Sequence, residues 1–143
     1  MNVVGALHVV ASVFLVAPAA VAAVLSARYV RAGADGLGAL DVLNKVTRYG
    51  TIATLVVFAL GLGAVSTGGY DWASAWLSVS IALYLVAVGL TVALVERDQR
   101  SALSAIREGG SAAPQASRIY GVGAAAALLW VVIAVLMYYK PGA

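Results

Sequence analysis

The residue in this chain best equipped for chemistry is His8, the single histidine, which stands in a stretch from Val3 to Ala27 that holds no other ionisable side chain. An imidazole inside hydrocarbon is costly to leave unpaired, which makes it a functional candidate by default. Three uses compete. His8 can be a structural group bonded to a Ser, a Thr or a carbonyl of a neighbouring helix. It can be an axial ligand to a b-type haem or a ligand to copper, since neutral imidazole suits both, or it can serve as a proton relay or pH sensor. The ligand reading needs a second donor. Met137 offers a thioether, and the topology derived below puts it at a similar depth to His8; His/Met ligation suits haem iron and copper alike. Two copies of His8 in a homodimer are the other route. His8 and Met137 are therefore the cofactor-binding candidates, with haem b or copper as the cofactors they would suit. No catalytic residues and no dedicated metal cluster stand out.

Other chemistries lack their residues. With no cysteine in the sequence there is no thiolate metal site, iron–sulfur cluster or redox thiol. No H-E-x-x-H, P-loop, G-x-S-x-G or D-x-D pattern occurs, and Gly61-Leu62-Gly63 lies inside an apolar stretch rather than in the strand–turn–helix setting of a nucleotide loop. The apolar segments carry no Asp, Glu, Lys or Arg to relay protons or bind a translocated ion, which weighs against a transporter or channel. Tyr84 and the threonines Thr51, Thr54 and Thr91 suit hydrogen bonds between helices. The balance favours a non-enzymatic protein.

The elements that must position His8 follow from composition. Of 143 residues, 63% are hydrophobic and 10% charged, against about 45–50% and 25% in a soluble domain. The apolar residues fall in four segments, near 3–27, 49–65, 73–95 and 119–137. Each reaches the roughly 17–25 residues that cross a hydrocarbon core of about 30 Å at 1.5 Å per residue. In lipid every backbone amide must bond within its segment, so these runs are helices. The first has no basic residue before it and Arg28 and Arg31 after it, the reverse of a cleavable signal peptide, so it is read as a retained span.

Basic residues set the orientation. Arg28, Arg31, Lys45 and Arg48 occupy the first connection and Arg97, Arg100, Arg107 and Arg118 the third; the second has none, and only Lys140 lies on the opposite side. The positive-inside rule places the first and third connections in the cytoplasm and both termini outside. This clustering accounts for the net charge of +3 without nucleic acid as a partner. Tyr70, Trp72, Trp76, Tyr138 and Tyr139 are expected at the outer interface, and Tyr29, Tyr49 and Tyr120 at the inner one.

Leu40, Leu43 and Val46 recur at helical spacing, and Asp41 and Lys45 stand four apart, so the second helix is expected to begin before the membrane. The third is expected to continue to about Glu108, where Gly109-Gly110 signals a stop. The predicted fold is all-α: one domain over 1–143, a four-helix up-down membrane bundle with helices near 3–31, 38–66, 73–108 and 115–139. Pro18 should kink the first helix. Small residues mark where helices pack closely, at Ala19 and Ala23, at Gly61 and Gly63, and at Gly121, Ala125 and their neighbours on the fourth helix. The same faces can serve a homodimer or a larger membrane complex. The two halves share one layout, which duplication of a two-helix unit or any up-down bundle would produce.

Leu7-His8-Val9-Val10 leading into a small-residue helix, a Trp-containing start to the third helix, and the ending Met137-Tyr138-Tyr139-Lys140-Pro141-Gly142 resemble the family known as domain of unknown function 2269, over the whole chain. The resemblance implies a small bacterial integral membrane protein of four helices, resident in the cytoplasmic membrane, and implies no activity. More distantly, the first-helix histidine is similar to that of the copper-resistance D proteins and of the haem-binding protoporphyrinogen oxidase family. This sequence departs from both in having no second histidine and no lysine within a span.

Overall fold

In the computed structural model of the protein, residues 2–142 are described. Among them four helices are long and apolar enough to cross a membrane, and no strand occurs. They are α1 (Val3–Arg31), α2 (Leu37–Gly68, approached through a 3-10 turn at Gly33–Gly36), α3 (Ala75–Arg107) and α4 (Ala113–Tyr139). The eight clustered basic residues lie together at one end, called here the basic end; the start of α1 and the finish of α4 lie at the far end. Asn2 caps α1 by accepting the Gly5 N–H at 2.8 Å and donates to Thr67 Oγ1 at 2.8 Å, which ties the start of α1 to the finish of α2.

α1 changes partner along its length. Its far-end segment Val3–Ala11 packs on α2, while Ala17–Arg31 packs on both α2 and α4. Between them Ser12–Val16 winds as a π-helical turn. Pro18 is the local cause we assign. It has no N–H to give the Phe14 carbonyl, and its ring crowds that turn, so the helix widens where the sequence predicts a kink. α3 carries a second π turn at Thr91–Glu96, at whose start the Thr91 hydroxyl donates to the Ala87 carbonyl at 2.8 Å. Such back-bonding to the preceding turn loosens the regular ladder.

The larger core cluster is at the basic end, where Ala23, Ala27 and Val30 of α1 meet Leu40, Val95, Ala102, Leu103, Ile106 and, from α4, Ala116 and Ile119. A smaller one, Val65, Trp76 and Leu77, sits at the far end. Between them lies an aromatic layer: Phe58 stacks on Tyr84 with centroids 4.8 Å apart, and Tyr84 meets Trp130 edge-on at 5.7 Å. The gap between Ala23, Thr51, Thr54, Thr91 and Gly123 measures about 10 Å³, room for about one water.

Close approach explains the small residues, with two corrections to the sequence reading. Ala19 and Ala23 are buried as expected, and a Cβ at Gly50 would lie 2.8 Å from that of Ala19, so glycine sets the α1–α2 spacing there. On α4 the packed face runs through the neighbours Gly123, against the Ala23 backbone, and Ala126, whereas Gly121 itself has open space around it and Ala125 is exposed. The reason is that α4 faces α1 along the line of Ala23. Trp76 is also no interfacial ring residue, being 4% exposed within the far-end cluster, whereas Tyr138 and Tyr139 are open.

Candidate functional site

His8 lies on the α2-facing side of α1. Its ring rests on Gly61, where a Cβ would stand 2.9 Å from Cε1, and Nδ1 is 2.9 Å from the Val57 carbonyl oxygen. A carbonyl can only accept, so Nδ1 carries the proton. In the neutral ring Nε2 is then the unprotonated nitrogen, and it bonds nothing among the described residues. An Nδ1–H bonded to a backbone carbonyl is the arrangement that orients imidazoles whose Nε2 binds a metal or accepts a hydrogen bond. Around it α1 is sparsely covered: no residue of Val3–Ala11 is buried, and Leu7, Val10 and Phe14 are exposed.

Met137 occupies a different interface. It packs against the Val65, Trp76 and Leu77 cluster, one turn along α2 from the Gly61 that carries His8. Trp76 Nε1 in that cluster is buried with no acceptor among the described residues. His8 thus meets α2 at Val57 and Gly61, and Met137 meets α2 and α3 at Val65, Trp76 and Leu77. No group of three or more His, Cys, Asp or Glu close enough to hold a metal occurs among the described residues.

The densest polar chemistry is at the basic end, and the sequence reading passed it by. Gln99 of α3 is fully buried. Its Nε2 donates to Ser26 Oγ of α1 at 2.9 Å and to Thr47 Oγ1 of α2 at 3.1 Å, while its Oε1 accepts from Asn44 Nδ2 at 3.0 Å. Ser26 and Thr47 give their own protons to the Ala23 and Leu43 carbonyls, so the group is satisfied throughout. Thr51 and Thr54 extend the polar stripe up α2, and the Tyr84 hydroxyl donates to Thr54 Oγ1 at 3.2 Å, because the Thr54 proton is committed to the Thr51 carbonyl. Buried Asp98 takes a two-pronged bond from Arg118 of α4, 2.9 Å on each arm. Glu96 lies between Arg48 and Arg100 at 3.9 and 3.6 Å. One signal was present in the sequence: Gln99 is in helical register with Ala102, Leu103 and Ile106, the buried face of the α3 extension.

The sequence profile of one family, described as predicted integral membrane protein (DUF2269), matches residues 2–141. The chain belongs to the DUF2269 family. Neither the curated proteins nor the solved structures contain a match to it. Membership in DUF2269 agrees with a bilayer-embedded chain of four apolar helices and assigns no reaction to it.

Proposed function

We propose that this DUF2269 member is a non-enzymatic subunit of a bacterial cytoplasmic membrane, oriented with its basic end in the cytoplasm, which holds a partner's transmembrane helix against the far-end half of α1. The observation that carries the reading is His8: a polar nitrogen, fixed in orientation by Val57, on a helix segment with no buried residue. In lipid an interhelical hydrogen bond and close van der Waals contact drive association, and a lone acceptor within an apolar span is a site a partner's donor would satisfy. The eight-to-one basic asymmetry supports the orientation. A photo-crosslinking residue at Val10 should capture one defined membrane protein. His8→Leu should abolish the capture, and the same probe at exposed Val131 should give none. A lone monomer in mild detergent with no cross-link at Val10 would sink the proposal.

A second reading rests on the same nitrogen. Nε2 of His8 would hold haem iron or copper, and two copies of the chain would supply a matched pair; Met137 packs against the Val65, Trp76 and Leu77 cluster. A bound haem would supply electron transfer, with His8 holding the iron and Val57 holding His8. The absorbance spectrum separates the readings. A Soret band lost in His8→Ala supports haem, whereas a bandless spectrum with no copper by elemental analysis eliminates the cofactor.

A further inference from the structure

At the basic end a cavity of about 300 Å³ opens where α1 finishes and α4 begins, lined by Val30, Arg31, Gly33, Ile106, Ser111 and Ala112 among others. It lies at the level where the apolar spans give way to charge. Its apolar wall is firm, because Val30, Ile106 and Ala112 are all buried members of the main core cluster. Its polar side is unsatisfied in two respects. Lys45, Arg48, Arg100, Arg107 and Arg118 each have a carboxylate within 4 Å, whereas Arg28, Arg31 and Arg97 have none among the described residues, and of these three Arg31 alone lines the cavity. The nearest acids in sequence, Asp35 and Glu108, do not line the cavity. The N–H groups of buried Ala112 and of Ser111 also find no acceptor among the described residues, whereas at the same turn the Gly110 N–H bonds the Ala105 carbonyl at 2.8 Å and the Ala113 N–H bonds Ser111 Oγ at 3.4 Å.

We propose that this cavity binds the phosphate head group of an anionic membrane lipid. The Arg31 guanidinium and the two free amides meet the phosphate oxygens, and the glycerol lies against Val30, Ile106 and Ala112. Three features together select this class of ligand. The cation has no carboxylate partner, donors are present without acceptors, and the apolar wall stands beside them at the level where the spans give way to charge. A guanidinium with free backbone donors suits a phosphate, and basic pockets between helices at this depth are where anionic head groups bind.

The test uses the full chain purified in a neutral detergent, with phosphatidylglycerol, phosphatidylcholine of the same acyl chains, and inorganic phosphate as probes, read by thermal unfolding and by native mass spectrometry. Phosphatidylglycerol should raise the unfolding temperature and stay bound, and phosphatidylcholine should do neither. Arg31→Gln should weaken the phosphatidylglycerol effect by about fivefold, the size expected for one basic contact at a membrane surface. Arg97→Gln removes the same charge from the same end without touching the cavity and should change it little. Equal loss in both variants would reduce the effect to the general basic field and overturn the site. Equal stabilisation by the two lipids would overturn it as well. If inorganic phosphate at low millimolar concentration reproduces the stabilisation, the ligand is a free anion and the lipid assignment falls.

Discussion

Gln99→Leu tests how the basic end is held together. Leucine is close to glutamine in volume, so the substitution removes polar chemistry and leaves little cavity. The lost bonds are those to Ser26, Thr47 and Asn44, one helix or more away in each case. Interhelical bonds in membrane proteins contribute about 0.6 kcal/mol each, and protein hydrogen bonds in general about 1. Ser26 and Thr47 keep the backbone bonds in which they donate and so lose little. Asn44, only 8% exposed, keeps an amide with no acceptor, which costs about 1–3 kcal/mol when buried. The expected destabilisation is about 2–4 kcal/mol, read by reversible unfolding in mixed micelles. Asn44→Leu in the same background supplies the decisive comparison. Removing the second partner also removes the stranded amide, so the double variant should be at least about 1 kcal/mol more stable than the sum of the single effects implies. A loss below about 0.5 kcal/mol, or strict additivity, would show that the group is wet and contributes little, and the reasoning would fail.

Two further outcomes follow from close contacts. Gly50→Ala places a methyl 2.8 Å from the Ala19 Cβ and should cost about 1–3 kcal/mol by forcing α1 from α2, while Gly121→Ala, with open space around it, should be neutral within about 0.5 kcal/mol in the same unfolding assay. Because His8 is the sole histidine, nitrogen-15 NMR of histidine-labelled protein should show one imidazole with its proton on Nδ1; Gly61→Ala, crowding Cε1, should convert it to mixed tautomers, and a wild-type proton on Nε2 would contradict the Val57 bond.

What the sequence disclosed and what it hid divide along physical lines. The four spans were legible because run length and the exclusion of charge are set by the bilayer, and neither depends on which helix touches which. Pairwise contacts do depend on it. Pro18 announced a disturbance in α1 but not the exchange of partners across it, since the direction in which a widened turn re-aims a helix is decided by what the next segment meets, here Gly123 and Ala126 rather than Gly121 and Ala125. His8 was conspicuous by its type, and Gly61 by its size; their meeting, and the bond to Val57, were hidden because a backbone carbonyl has no residue identity to read. Gln99 was missed for the opposite reason. It is one polar residue among Glu96, Arg97, Asp98 and Arg100, and such a run has the composition of a solvated face, although its spacing from Ala102, Leu103 and Ile106 places it on the buried one.

The two ends of the bundle consequently differ in what they can do at low cost. At the basic end, α1, α2 and α3 are joined through Gln99, and α3 and α4 through Asp98 and Arg118, all of it buried or half-buried and satisfied. Separating those helices means stranding several polar groups at once, each at about 1–3 kcal/mol. At the far end, Val3–Ala11 is held to the remainder of the chain chiefly by α2 contacts, the Asn2–Thr67 bond and the single His8–Val57 bond. A helix that exchanged lipid for protein along that segment would disturb no polar network and would gain a donor for Nε2. The rigid end therefore suits fixed binding at its surface, as in the Arg31 cavity, and the lightly held end suits association through the helix that bears His8.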